Sequence, residues 1–560
     1  MADTCAYVLD SASRDLPSSV DVGALVEDDG VWSCPRAAAD GRFCPCHRGT
    51  APDGEPPRLD RELLADLSED PSVPSEDRSR FVGAVFDGVA LDHERVRGAS
   101  ARPLDLRFAR VEGDVSFRAA DLLDDVVLDR ATIEGDLALA DARTRSVSAA
   151  GATVDGRVDC ADASVGGRLG CSDLEATGVD LRDATVEGRA VLRRPTLDGS
   201  VEAHAATFRD CLLADRGSVG GDLALAAATV EDEFLLAGAD VEGDLNCHDA
   251  VLRGDVRCRS VGVDGETFFT DAAVDGRLRF ESVEIGGDVT FDRAALDGGL
   301  VCSVGSATGD GPVRISFDGA TVRGGRLDVS VGEWDLRDAT LGAVEFDGLS
   351  SASLRRVRVL NTSFEGFDFT DAGVRGAFSA VDWRVHDVDW ADPPSPAALE
   401  STYLRAKNGA SDLGDATAAG EFFRHELRHR RVRRLAVVRD PPPGVDAVDR
   451  LREAVRAGAN ALFEATSGYG ERPWRVVFTS AVTVFGFAGL YALTWNYPEP
   501  PYGDPLGFLL LSQASFITLL LGDAPTVGST VVRVLAQTEA FAGAFLIALF
   551  VFSLTRAIDR

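Results

Sequence analysis

Cys5, Cys34, Cys44, Cys46 and His47 fall within the first fifty residues, in and around Trp32-Ser-Cys-Pro35 and Phe43-Cys-Pro-Cys-His47. Sulfur and imidazole donors at that density have the character of zinc ligands, and the C-x2-H spacing of Cys44 and His47 lets one turn supply two of them. A short segment without a core of its own gains most from a structural metal. The candidate set is Cys5, Cys34, Cys44 and His47, with Cys46 as substitute; surface thiols in an unstructured lead-in are the alternative. No acid or base accompanies the cluster, so catalytic zinc is not expected. Near the other end, Glu539 stands alone in an apolar run. An ionisable group placed there is a functional candidate, lining a water-filled path or pairing with Arg533.

The elements that must hold Glu539 are apolar helices. Val476 to Pro498 is 23 uncharged residues long, enough to cross a ~30 Å hydrocarbon core. A second span runs from about Val534 to Thr555. Between them lies Pro505-Leu-Gly-Phe-Leu-Leu-Leu-Ser-Gln-Ala-Ser-Phe-Ile-Thr518, then Leu519, Leu520, Leu521, Gly522 and Asp523. Over residues 474–556 this layout resembles the two-span pore module of the potassium channel superfamily. The resemblance implies a re-entrant pore helix ending in a filter, four chains around one axis, and monovalent cations as the permeant species. In that family the filter reads Thr-Val-Gly-Tyr-Gly-Asp and its carbonyls replace the ion's hydration shell. Thr518, Gly522 and Asp523 match it, whereas leucines stand in place of the first glycine and the tyrosine. Gly543 takes the inner-helix hinge position. Three ordinary spans are the alternative, and they would place Arg556 and Arg560 on the wrong side for the charge rule.

The orientation follows from charge. Arg424, Arg428, Arg430, Arg431, Arg433 and Arg434 precede the first span, and Glu499 to Asp504 makes the connection after it acidic. No secretory signal is read at Met1-Ala-Asp-Thr-Cys5, so both termini are expected in the cytoplasm and the ten cysteines are expected to be thiols or metal ligands.

Residues 109–300 repeat with a period of eleven. Gly135, Gly156, Gly167, Gly188, Gly199, Gly221, Gly243, Gly254, Gly265, Gly276, Gly287 and Gly298 recur at that step or its double, with one slip. Aliphatic residues sit two places to either side of the glycine, and alanine usually four before it. Alternation with period two is a strand pattern, and a unit too short to bury its own face must stack on its neighbours. The expected fold is a mainly β chain, a right-handed parallel β-solenoid over 81–385 with two units per coil. About 300 residues then give ~14 coils and a rod of ~65 Å. The glycine is read as inward-facing. Ser363-Phe-Glu-Gly-Phe-Asp-Phe-Thr-Asp-Ala372, with a period of five, resembles pentapeptide-repeat proteins. Cys160, Cys171, Cys247, Cys258 and Cys302 occupy one position of the repeat, where other units carry Phe117, Leu139 or Phe291, so they are read as core residues.

After Pro393-Pro-Ser-Pro396 the composition turns helical. One helix is expected from Ala397 to Leu435, with its basic end beside anionic lipid, and a second amphipathic helix before the first span, completing a linker over 397–470 between the Cys/His-rich segment and solenoid on one side and the 474–556 membrane domain on the other. Tyr469 and Trp474 are read as inner-interface anchors, Trp495 and Tyr497 as outer ones. The formal charge is −34 and Lys407 is the sole lysine. That balance resembles a salt-adapted, halophilic proteome and excludes nucleic acid as a partner, since phosphate binding needs a basic surface. No catalytic constellation occurs on the solenoid. The sequence therefore points to a membrane-bound, cation-conducting homotetramer with a cytoplasmic sensor or scaffold that engages an unidentified partner or ligand. A non-conducting, membrane-anchored scaffold is the alternative.

Overall fold

The computed structural model describes the chain apart from residues 1–3, 11–30, 39–41, 51–53, 71–72, 76, 97–102, 308–311, 386–393, 497, 505, 522–528 and 559–560. Two compact units result, Met1–Asp368 with Ala372–Ala377, and Phe369–Asp371 with Phe378–Arg560.

In the first unit, strand β1 (Val8–Asp10) pairs antiparallel with β2 (Val31–Ser33), and strand β3 (Arg58–Leu59) and helix α1 (Arg61–Glu69) follow. Strand β3 stacks parallel on Gly88–Val89 and so begins a parallel β-solenoid of about 12 turns, which continues beyond α1. Each coil has four short strands. Val126–Val127, Thr132–Ile133, Leu137–Ala138 and Arg143–Thr144 come in succession, and then Val147–Ser148 stacks on Val126–Val127. Asp121 pairs with Arg143 and Leu223 with Leu245, so a regular coil takes two eleven-residue units, as expected. The count falls short of fourteen because the last strand is Ser363–Phe364 and a helix, Ala372–Ala380, occupies part of the stretch up to 385. Longer coils (Val85 to Arg110, Val289 to Ile315) are offset by shorter ones (Ile315 to Trp334, Thr321 to Thr340).

The four corners alternate between two devices. At one kind a residue with positive φ turns the chain (Arg130, Asp141, Asp162, Asp173), a conformation unfavourable for a side chain but closed here by bonds to the next coil such as Arg130 N–H to the Ala150 carbonyl. The repeat glycines form the other kind. They are not inward-facing, as the alternation suggested. Gly135 and Gly243 are half-exposed, and a Cβ on Gly243 would stand 2.7 Å from the carbonyl carbon of Gly221 in the coil before. Glycine is needed because backbones meet there. The aliphatic positions on either side are buried, as are all five repeat cysteines. Burial pushes the Cys171, Cys258 and Cys302 thiols up to about 12, which makes them inert.

The second unit is helical. Helix α2 (Ala372–Ala380) leads into it, and α3 (Pro396–Asp412) and α4 (Ala416–Arg439) follow. The single helix expected over 397–435 is two, because Gly414 adopts positive φ and the Asp415 side chain caps Thr417 and Ala418. Then come α5 (Ala447–Ser467), α6 (Pro473–Thr494), α7 (Gly507–Leu521) and α8 (Thr530–Ile558). Both α6 and α8 are long and apolar enough to cross a membrane.

The basic run on α4 is not a free lipid-facing surface. Arg428 and Arg431 both reach Glu464 at 2.6 Å, Arg430 and Arg433 reach Glu400 at 2.8 and 2.7 Å, Arg434 reaches Glu453 at 3.5 Å, and Arg424 pairs with Glu421 and Asp382. These ion pairs tie α4 to α3 and α5. Nor is Tyr469 an interface anchor. It is buried, and its hydroxyl donates to Asn460 Oδ1 at 2.8 Å, whereas Trp474 is exposed. Tyr497 lies outside the described residues.

Candidate functional site

Two groups of chemistry-bearing residues come together, one in each unit. In the helical unit, α7 packs between α6 and α8. Val476, Phe516, Leu546 and Leu549 form one buried cluster, and Tyr491, Leu511 and Val532 form another. Large apolar side chains on the remaining faces stay exposed, among them Phe478, Phe485 and Leu493 on α6 and Phe541 on α8.

Glu539 sits between these clusters, fully buried. The Tyr491 hydroxyl donates to its Oε2 at 2.6 Å. Ser512 contacts Oε1 and lies 2.8 Å from the Val484 carbonyl oxygen. One carboxylate thus links α6, α7 and α8. It faces the inside of the packing of these three helices, and Arg533, six residues away, lies on another face of the helix. Sequence reasoning missed Tyr491 and Ser512. The signal was their polarity in apolar runs, but nothing in the sequence tied them to Glu539.

Gly543 lies where α8 crosses α7. A Cβ there would come within 2.1 Å of the Phe516 carbonyl oxygen, so close approach explains the glycine, and α8 runs on as helix through it. Thr518, Leu519, Leu520 and Leu521 form the last turn of α7, with the Thr518 hydroxyl on the Ala514 carbonyl at 2.7 Å. Gly522 and Asp523 lie outside the described residues.

In the first unit the four cysteine and histidine donors converge. Cys5, Cys34, Cys44 and His47 are all buried, and their ligand atoms lie within 4.8 Å of one another. Cys34 Sγ is 3.8 Å from Cys44 Sγ, and His47 Nδ1 is 3.1 Å from Cys44 Sγ and 3.5 Å from Cys5 Sγ. Local folding sets this up. A single helical turn bonds His47 N–H to the Cys44 carbonyl, Cys5 is fixed through its N–H to Arg36, and Cys34 through its N–H to Tyr7 beside the β1–β2 pair. His47 Nε2 lies 2.9 Å from the Val82 carbonyl oxygen. A carbonyl only accepts, so Nε2 carries the proton and, in the neutral ring, Nδ1 turns a lone pair on the sulfurs. Hydrogen bonding from Cys34 first, then from Cys46 and Cys5, holds the Cys44 thiol far below its usual range. Cys46 is buried beside Cys44 but is not part of the group of four.

Fold and sites together define the class as a parallel β-solenoid protein with a helical C-terminal unit carrying two helices of membrane length. No family model matches the chain, and no curated protein or solved structure matches it.

Proposed function

We propose that α6, α7 and α8 form the pore module of a homotetrameric, cation-conducting protein of the cell membrane, with the solenoid as its cytoplasmic sensor or scaffold. The observation that carries this reading is α7. It is apolar and 15 residues long, about 22 Å, too short to cross a bilayer, and it is packed between α6 at ~33 Å and α8 at ~43 Å. A helix of that length between two spans enters and leaves on one side, and both chain ends then lie in the cytoplasm.

The pore would lie where four copies of the α7 C-terminus meet. The last four carbonyls of a helix have no partner within it and carry its partial negative charge, so Thr518 to Leu521 would offer oxygen ligands to a monovalent cation, with Gly522 and Asp523 completing the filter-like segment. Glu539 would act as a positioning residue, holding α7 against both spans. Exposed apolar faces on α6 and α8 supply surface for lipid and for neighbouring subunits.

One observation favours a second reading, a membrane-anchored scaffold that does not conduct. The backbone of Thr518 to Leu521 is helical, and an extended filter would require that turn to open. Cation flux into liposomes separates the two. Protein reconstituted as a verified tetramer is expected to admit potassium or sodium, and absence of flux from such tetramers would leave the anchored scaffold.

A further inference from the structure

We infer that Cys5, Cys34, Cys44 and His47 bind one zinc ion in a closed tetrahedral site, and that this ion locks the N-terminal segment onto the first coil as the end cap of the solenoid. This site stands independently of the pore. With Zn–S bonds of ~2.3 Å and a Zn–N bond of ~2.0 Å, a tetrahedral site has sulfur–sulfur edges of about 3.8 Å and sulfur–nitrogen edges of about 3.5 Å. Cys34 and Cys44 stand 3.8 Å apart, and His47 Nδ1 stands 3.5 and 3.1 Å from two of the sulfurs. Three thiols and an imidazole within 4.8 Å of one another, all buried, form a donor set that selects zinc, with no position left open for substrate.

A second observation points the same way. The Val82 carbonyl accepts at Nε2 and turns Nδ1 toward the sulfurs, the outer-shell arrangement that orients a metal-bound histidine. The Cys44 N–H also donates to Cys5 Sγ, at 3.3 Å, and orients that sulfur within the cluster.

The site's surroundings explain what the metal does. Val82 belongs to the segment that opens the solenoid, so the His47 contact joins the ligand cluster to the first coil. Tyr7 stacks on His47 with ring centres 4.1 Å apart, and a Cβ on Gly83 would strike its hydroxyl at 1.7 Å. Arg36 donates to the Leu67 and Arg78 carbonyls and lies over the Phe81 ring. A solenoid exposes unpaired strand edges at its ends and needs a cap to prevent edge-to-edge pairing. Among its described residues before Arg58, Leu9 and Trp32 are buried beside the cysteines, and metal binding adds to that burial.

The test uses the full chain purified in detergent. Elemental analysis is expected to give about one zinc per chain, and cobalt exchange to give the visible absorption of a tetrahedral thiolate-rich site. Cys44→Ser is expected to lose both signals, whereas Cys46→Ser keeps them. Chelation of the wild-type chain is expected to open the ligand-bearing segments 31–38 and 42–50 to protease while the β-sheet circular dichroism persists, and added zinc to restore protection. A folded chain without metal, a non-tetrahedral cobalt spectrum, equal loss in Cys46→Ser, or protection unchanged by chelation would each overturn the inference.

Discussion

Asp244 shows how the acidic side chains of the repeat act. Its N–H donates to Asp222 Oδ1 at 2.8 Å, and its own Oδ1 accepts the Glu266 N–H at 2.7 Å, so carboxylates run as a ladder from coil to coil. Asp244→Ala is expected to cost about 1–2 kcal/mol and Asp244→Asn, which keeps an acceptor, much less, as read by thermal unfolding followed by circular dichroism. The spacing showed these aspartates as outward-facing but not what they bond. The donors lie 22 residues away, and only the coil length brings them into reach. His425 gives a pH dependence. Burial is the main cause that holds its imidazole near pH 4, against 6.5 when free, and its Nε2 meets the Asp382 carbonyl at 2.7 Å. The unfolded chain therefore binds the extra proton between pH 6.5 and 4. Stability from the neutral ring is complete above 6.5 and falls by up to ~3 kcal/mol as pH drops to 4. Thermal shifts of the helical unit between pH 7.5 and 4.5 should show that loss, and His425→Gln should flatten it.

Among the elements, the contact of α7 with α8 depends on Gly543. Gly543→Ala places a methyl against the Phe516 carbonyl and is expected to destabilise the helical unit by about 1–3 kcal/mol. Gly489→Ala, on α6, meets nothing within 4 Å in the chain and should be neutral or slightly stabilising, so melting of the two variants in detergent distinguishes packing from helix propensity. The solenoid was legible because an eleven-residue period leaves few ways to bury its apolar face. The α3–α4 break was legible in principle, in Gly414-Asp415, but the apolar spacing of 397–435 masked it. The basic end of α4 looked like a lipid-binding run because its partners, Glu400, Glu453 and Glu464, come from other helices. The four converging donors could be chosen from C-x2-H spacing and cysteine density, whereas leaving Cys46 out of the group required coordinates.

Across the whole molecule, part of the acidic composition is structural. Asp173 with Arg194 and Asp271 with Arg293 pair between coils at 2.7 and 2.6 Å, so arginine and carboxylate share the outer faces of the stack. Membrane length in α6 and α8 was readable from composition, and so was the shortness of the segment between them. What the sequence could not supply was the burial of Glu539 against Tyr491 and Ser512, because three separate helices make it. The central claim is that three such helices from each of four chains enclose a path for cations. Planar-bilayer recording of the purified tetramer under a KCl/NaCl gradient in high salt tests it most directly. Single-channel currents with a cation-selective reversal potential are expected. An anion-selective reversal potential, or silence from tetramers verified as folded, would contradict it.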